Sequence, residues 1–119
     1  MEVPFYKPNA LLRDRTFSGL TVSGRVLSYP DCKPIAQAVI EYWHANPEGV
    51  YDYAHRATIF SDNEGRYKFV IDFPGTHLGR PDHIHFKMRA HGFKFLTTQL
   101  YFRKKVSEAV FDIVLVLDK

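Results

Sequence analysis

Residues 74–85 read Pro-Gly-Thr-His-Leu-Gly-Arg-Pro-Asp-His-Ile-His, and this stretch holds three of the six histidines of the chain. Its Pro-Gly pair predicts a turn, and the alternating apolar residues that follow predict a strand from about His83 to Ala90. Side chains alternate along a strand, so His83 and His85 share one face, about 7 Å apart. Two imidazoles so placed can bind one metal ion, and His77 lies on the loop just before them.

Short strands with turn signals between them fill most of the remaining chain, and no long run has the helical period. This pattern predicts an all-β fold, an antiparallel β-sandwich in a single domain, 1–119, with a short N-terminal arm, 1–17. Leu11 and Leu12 are expected to form a short helical turn in that arm, and residues 50–56 are expected to be irregular. The predicted strands are 20–27, 38–44, 57–61, 66–71, 83–90, 93–102 and 109–117.

Composition limits the classes of function. A chain of 119 residues with 45% hydrophobic residues supports one modest core, and its formal net charge is +3. The basic residues are scattered, and the run Arg103-Lys104-Lys105 is expected to be a solvated turn, so no nucleic-acid partner is predicted. The single cysteine, Cys32, favours a reducing, cytoplasmic location. No apolar stretch reaches membrane-spanning length, and no signal peptide or membrane partner is predicted.

A second stretch of interest is Trp-His-Ala-Asn-Pro-Glu-Gly-Val-Tyr, residues 43–51. Its Asn-Pro-Glu-Gly core predicts a tight turn, after which Tyr51 can point its phenol into a pocket. An ordinary core or surface tyrosine is the alternative. A phenolate is a hard anionic ligand that suits a trivalent ion, whereas histidines alone suit zinc as well. Tyrosine together with histidines therefore favours iron(III).

These motifs together resemble the intradiol ring-cleavage dioxygenases, which open catechols between the two hydroxyls with non-heme iron(III). The resemblance rests on the 43–51 stretch, on Arg-Pro-Asp-His-Ile-His at 80–85 and on Leu-Thr-Thr-Gln at 96–99, in the family's order. It implies a β-sandwich, and it implies that Tyr51, His83 and His85 bind the iron. It also places Arg80 and Gln99 beside the substrate, where a cation and an amide can stabilise charge developing on the ring.

One position departs from the family pattern. The second iron-binding tyrosine of the family follows a Pro-Gly turn, and counting back from Arg80 puts His77 in that place. The resemblance therefore implies a site of one tyrosine and three histidines, in which His77 binds the metal and also accepts a substrate proton. Because a neutral imidazole replaces a phenolate, the resting iron is expected to be more easily reduced than in a site with two tyrosines.

The function implied is cleavage of a small aromatic diol by O2 to a muconate-type dicarboxylate. Two alternatives stay open: another metal-dependent oxidation on the same scaffold, and a non-catalytic, transthyretin-like binding module. The stretches 23–26 and 62–69 fit such a module equally well, whereas the four donors Tyr51, His77, His83 and His85 favour the enzyme. Residues 1–17 are too short to supply the helical dimerisation region of the catechol-type members, and a homodimer is left open.

Overall fold

The computed structural model describes residues 11–15, 17–75 and 82–118, and within these ranges the chain forms eight β-strands and no helix. It follows that no helix in these ranges is long and apolar enough to cross a membrane. The strands are β1 (Leu20–Tyr29), β2 (Val39–Ala45), β3 (Tyr51–Phe60), β4 (Arg66–Ile71), β5 (His83–Arg89), β6 (Leu96–Tyr101), β7 (Glu108–Val110) and β8 (Ile113–Val116).

The strands form two sheets. The first sheet has the order β3-β2-β5-β6, and each of its pairs is antiparallel. In the second sheet β1 lies between β4 on one side and the short strands β7 and β8 on the other. The predicted all-β sandwich is confirmed, with one correction: β7 and β8 run parallel to β1, so the second sheet is mixed rather than purely antiparallel.

The short segment between β7 and β8 lies against β1, so that both strands can pair with β1. The chain passes close to β1 at Phe111, whose backbone N–H donates to Ser23 O at 2.8 Å. A Cβ on Gly24 would lie 2.0 Å from Phe111 O, so only glycine permits this approach. The ten-residue β1 can therefore pair with two short strands in succession, one along each half of its length.

The core lies between the two sheets and follows the alternation expected of half-buried strands. Ile40 and Tyr42 of β2 point inward, and the Tyr42 ring stacks on Phe69 with centroids 3.9 Å apart. Burial of aromatic and aliphatic side chains from both sheets is the main stabilising contribution. The buried hydrophobic residues include Leu20, Val22, Val26, Ile59, Ile71, Ile84, Phe86, Met88, Ile113 and Leu115.

Two local predictions were wrong. Residues 51–56, expected to be irregular, form the first part of β3, which therefore runs over ten residues. Leu11 and Leu12 do not form a helical turn: Leu12 makes a parallel bridge to Thr58, and Thr58 N–H donates to Leu11 O. Backbone pairing with the edge of β3 thus decides the conformation of this part of the arm. The domain limits themselves, 1–119 with an arm at 1–17, stay a prediction.

Candidate metal centre

Three donor atoms meet at one end of the first sheet. The Tyr51 hydroxyl lies 3.0 Å from His85 Nε2 and 3.3 Å from His83 Nε2, and the two Nε2 atoms are 3.1 Å apart. Both histidines are buried, with exposed fractions of 3% and 1%. The predicted sharing of one face by His83 and His85 thus agrees with the geometry, and Tyr51 reaches the same point from another strand.

A register shift brings Tyr51 to the correct side of the sheet. Trp43 pairs with Arg56, but Ala45, two residues further along β2, pairs with Tyr51, five residues away on β3. Three extra residues therefore lie on β3, and this odd number reverses the alternation of faces. Tyr51 consequently points to the same face as Trp43, which we call the site face. The register shift is a bulge within the strand β3.

The turn before Tyr51 is fixed by its own side chains. Asn46 Oδ1 accepts hydrogen bonds from the backbone N–H groups of Glu48 and Val50, each at 3.0 Å. Gly49 has φ of 85°, in the left-handed region that favours glycine. The predicted Asn-Pro-Glu-Gly turn is thus present, and it delivers the chain directly to the first residue of β3.

A row of side chains crosses the site face from strand to strand. Arg56, Trp43, His85 and Gln99 are successive register partners on β3, β2, β5 and β6, so they lie side by side on one face. The Trp43 indole stacks on the His85 imidazole, with ring centroids 5.2 Å apart and an angle of 6° between the ring planes. This stacking restricts the rotation of His85 and holds its Nε2 toward Tyr51.

Gln99, predicted to stand beside the substrate, occupies the β6 end of this row and is half-buried. Its Oε1 accepts a hydrogen bond of 2.5 Å from the Tyr101 hydroxyl. Tyr101 is in turn the register partner of His83, and their ring centroids are 5.3 Å apart. The amide is therefore oriented by a neighbour that also borders the donor triangle. His77 and Arg80 lie outside the described residues, so their roles stay predictions.

On the opposite face, a buried histidine links three segments behind Tyr51. His55 Nδ1 lies 2.6 Å from Asp52 Oδ1, and His55 Nε2 lies 3.0 Å from Asp72 Oδ2. Asn46 Nδ2 donates to Asp52 Oδ2 at 3.1 Å, and the Phe17 ring stacks on His55. The Asp52–His55–Asp72 network thus joins the start of β3 to the segment after β4. His55 is buried, with an exposed fraction of 4%.

Hydrogen bonds also affect the acidity of this network. Burial acts to raise the pKa of Asp52, but hydrogen bonds from His55 and Asn46 outweigh it and hold that pKa below its usual value.

The segment after β4 packs tightly on the turn that precedes Tyr51, because Gly75 N–H donates to Asn46 O at 3.0 Å. A Cβ on Gly75 would lie 2.4 Å from Pro47 O and 2.6 Å from Asn46 O.

His44 faces the interior of the sandwich and takes no part in the donor triangle. Its Nδ1 lies 2.8 Å from Ala45 O, while no described residue offers a hydrogen-bond partner to Nε2. Its ring stands edge-on to His55, with centroids 5.0 Å apart. Burial is the main cause that lowers the pKa of His44 from 6.5 to about 4. His44 therefore packs in the interior of the sandwich.

The triangle fits a small metal ion. An equilateral triangle of side about 3.1 Å has its corners about 1.8 Å from its centre, slightly less than the roughly 2.0–2.1 Å of a metal–imidazole bond. The three donor atoms are therefore close enough together to bind one metal ion. Histidine, cysteine and carboxylate side chains alone form no group of three within the described ranges, so the phenol of Tyr51 completes the set. Two imidazoles and a phenol suit iron(III).

The fold and the donor set together define a class: a β-sandwich with a candidate metal centre of histidine and tyrosine donors. Residues 58–115 match the family model described as dioxygenase. In sequence, the chain is similar to catechol 1,2-dioxygenase 2 of Acinetobacter lwoffii, with 37% identity over 125 aligned positions that cover 82% of this chain and 45% of that protein. It is also 32% identical to chlorocatechol 1,2-dioxygenase of Pseudomonas sp. (strain P51), covering 75% of this chain and 45% of that one.

Solved structures of dioxygenases are also similar to this chain. The dioxygenase domain of a dioxygenase and carbohydrate-binding protein fusion from Streptomyces sp. SirexAA-E superposes with a TM-score of 0.89 at 31% identity, covering 99% of this chain and 96% of that one. Catechol 1,2-dioxygenase from Pseudomonas arvilla C-1, at 24% identity and a TM-score of 0.84, shares the fold. This chain belongs to the intradiol ring-cleavage dioxygenase family. It spans less than half the length of the two sequence relatives named above.

Proposed function

We propose that this chain is a non-heme iron(III) dioxygenase that cleaves a catechol-like aromatic diol between its hydroxyls and releases a muconate-type dicarboxylate. The observation that carries the proposal is the triangle of Tyr51, His83 and His85, with donor atoms 3.0–3.3 Å apart in a member of this family. The similar proteins named catechol and chlorocatechol 1,2-dioxygenase support an aromatic diol and O2 as the substrates.

In this proposal, each residue of the site has a separate role in binding the metal or the substrate. Tyr51, His83 and His85 would hold the iron, with His77 as a fourth donor. When bound, iron(III) supplies a Lewis acid that both oxygens of a deprotonated diol can chelate, which makes the ring electron-rich toward O2. His77 accepts one hydroxyl proton of the diol as the diol binds, because a neutral imidazole can take up a proton near neutral pH.

Burial of the site strengthens the electrostatic effect of the protein groups that face the substrate. The donors lie on a face where Trp43 is 2% exposed, and in such a water-poor setting fixed charges and dipoles act strongly. Gln99 presents its amide to the reacting ring from β6, and Arg80 supplies a cation. Together they stabilise negative charge that develops on the substrate, a contribution of a few kcal/mol when such groups are pre-aligned, about 3 for one donor.

The test begins with iron-loaded protein under nitrogen. Adding catechol should shift the visible absorption, because diol and Tyr51 both donate charge to iron(III). Admitting O2 should then give one molecule of cis,cis-muconate for each O2 consumed, identified by mass and ultraviolet spectrum. A panel of catechol, 4-chlorocatechol and hydroxyquinol would rank the substrates.

The outcomes separate the alternatives. Oxygen uptake with a product other than the dicarboxylate would replace intradiol cleavage by another oxidation on this scaffold. Absence of both spectral change and uptake, in protein that retains its iron, would overturn the proposed function. A matched control is His91→Ala, which removes an exposed histidine from the turn after β5 and should leave the product yield unchanged.

A further inference from the structure

The bulge in β3 leaves a stretch of that strand without pairing to its neighbour. The register partners of Trp43 and Ala45 on β3 lie five residues apart instead of two. Within β2 and β3, which the structure describes in full, residues 52–55 have no register partner on β2. We call these four residues the bulged segment. Ladder pairing with β2 does not fix them, so other contacts decide the conformation that turns Tyr51 to the site face.

One side chain of the N-terminal arm supplies such contacts from the outer edge of β3. Arg13 Nη2 donates to Arg56 O at 2.7 Å and to Tyr53 O at 3.0 Å. The same nitrogen lies 3.4 Å from Ala54 O, and Arg13 Nε donates to Arg56 O at 3.2 Å. The guanidinium also lies over the Tyr53 ring, with Cζ 5.8 Å from the ring centroid. The half-buried Arg13 thus contacts three carbonyls in or next to the bulged segment.

The order of these carbonyls shows where the strand becomes irregular. In a regular strand the carbonyls of successive residues point to opposite edges. Tyr53 and Ala54 are successive, yet both carbonyl oxygens face the same guanidinium. The break in alternation therefore lies two and three positions after Tyr51. A planar guanidinium carries five N–H donors, so one such group can hold several carbonyls of an irregular backbone at once.

The backbone on both sides of this side chain is itself attached to the sandwich. Arg13 N–H donates to Thr58 O at 3.1 Å, and the Tyr42 hydroxyl donates to Arg13 O at 3.4 Å. Two residues further along the arm, Arg15 forms a parallel bridge with Val70 of β4. The arm is thus tied to both sheets at this point, and Arg13 approaches β3 from a fixed base.

We propose that Arg13 is a positioning residue for Tyr51: its guanidinium holds the bulged segment in the conformation that turns the phenol toward His83 and His85. The two histidines are held separately, because β5 pairs with β2 and β6 along its length. Loss of the guanidinium should therefore release the phenol and leave the imidazoles in place. This inference rests on the metal centre of the proposed function, and it gives the N-terminal arm a part in building that centre.

Iron affinity in a double-mutant cycle tests the assignment, measured by competition with a chelator. Arg13→Met should lower the affinity of the parent chain by about 10- to 100-fold, the range for loss of an outer partner of a metal ligand. In a Tyr51→Phe background the same change should alter the affinity by less than about 3-fold, because no phenol is left to position. Equal losses in the two backgrounds would mean that Arg13 acts on the fold or on the histidines, and would overturn the proposal.

Two further variants keep the test decisive if Arg13→Met does not fold. Arg13→Lys keeps the charge but carries its donors on one atom, so it should show a smaller loss of iron affinity, again only in the chain that retains Tyr51. Arg15→Met is the matched control, because it removes an exposed cation from the same arm, and it should leave iron affinity unchanged. A loss in Arg15→Met as large as that in the Arg13 variants would contradict the proposal.

Hydrogen exchange of the iron-free protein separates this inference from the proposed function. The backbone N–H of His55 donates to Asp52 Oδ1 within the bulged segment, and its exchange should become about 10-fold faster in Arg13→Met. Exchange at Ile84 of β5 should not change. Both results together with the expected cycle, in protein that cleaves no diol, would sustain the inference while the proposed function fails. Unaltered exchange at His55, with catechol cleaved at the parent rate, would overturn the inference while the proposed function stands.

Discussion

At the residue scale, the Nε2 atom of each histidine of β5 points to the same place as the Tyr51 hydroxyl, so each imidazole is a candidate metal ligand. His85 is fixed on one side by Trp43 and lies 3.0 Å from the Tyr51 hydroxyl. His85→Ala should therefore lower iron affinity by more than about 100-fold, the upper range for loss of an outer partner of a metal ligand. Iron per chain after dialysis against a weak chelator measures this. His91→Ala, the exposed control, should retain full iron, and retention by His85→Ala as well would exclude His85 as a ligand.

His44 gives a second prediction at this scale, for the iron-free protein. Its folded pKa of about 4 lies below the ordinary 6.5, so the unfolded chain takes up the proton first as the pH falls. The contribution of neutral His44 to the free energy of unfolding is therefore fully present above pH 6.5. It is lost progressively down to about pH 4, and its size is on the order of 3 kcal/mol. Urea unfolding at several pH values measures the slope.

The matched variant for that slope is His44→Gln, which keeps a polar side chain of similar length and cannot titrate. The free energy of unfolding of this variant should depend less on pH between 6.5 and 4 than that of the parent chain. Carboxylates such as Asp52 and Asp62, whose pKa values lie below 3.8, contribute to both proteins alike. Parallel slopes for the two proteins would mean that His44 is not the group responsible.

The residue scale also shows what sequence can specify. The one-face placement of His83 and His85 follows from strand alternation, and the geometry agrees with it. The motif match pointed to Tyr51, and its hydroxyl lies beside both imidazoles. The burial of Arg56 is not predictable from local sequence, because it depends on the pairing of β3 with β2. Trp43 is buried, and it lies on the site face against His85.

At the element scale, the Asp52–His55–Asp72 network fixes the start of β3 relative to the segment after β4. Glutamine cannot serve both carboxylates, so His55→Gln should lower the free energy of unfolding by about 1–3 kcal/mol and weaken iron binding at the same time. Chemical denaturation and iron titration measure the two effects. The inference to be tested is that the network positions Tyr51 and does not merely add stability.

The control for His55→Gln lies at the far end of β3. Asp62 Oδ1 accepts hydrogen bonds from the N–H groups of Glu64 and Arg66, each at 2.9 Å, and caps the next turn. Asp62→Ala should also destabilise the chain, but it should leave iron affinity unchanged because its turn is remote from the donors. If the two variants lowered iron affinity equally, the network would have only a structural role.

Most elements were predictable because their alternation and turn residues are local signals. The Asp-Asn-Glu-Gly turn at 62–65 carries the chain from β3 in the first sheet to β4 in the second, and β5 begins at His83 as expected. Residues 51–56 were missed because the bulge that reverses their faces destroys the simple period of two. The parallel pairing of β7 and β8 with β1 was missed because it joins residues about 90 positions apart, beyond any local pattern.

At the scale of the whole molecule, the candidate centre draws its donors from two strands that are not sequence neighbours. Tyr51 comes from β3 and the histidines from β5, with β2 between them. Metal binding should therefore stabilise the folded chain as a whole, by about 4 kcal/mol at a free iron concentration 1,000 times the dissociation constant. The melting temperature should rise by at least about 5 °C on loading with iron(III). Loss of this rise is expected in His83→Ala, and a rise of equal size there would place the iron elsewhere.

The central claim is that Tyr51 gives its phenol to the same ion as His83 and His85, and the visible spectrum of the iron(III)-loaded protein tests it most directly. The parent chain should show a broad phenolate-to-iron band, with tyrosinate vibrations in the resonance Raman spectrum excited within it. Tyr51→Phe, loaded to the same iron content, should lack both. A colourless parent protein, or an unchanged band in Tyr51→Phe, would contradict the account.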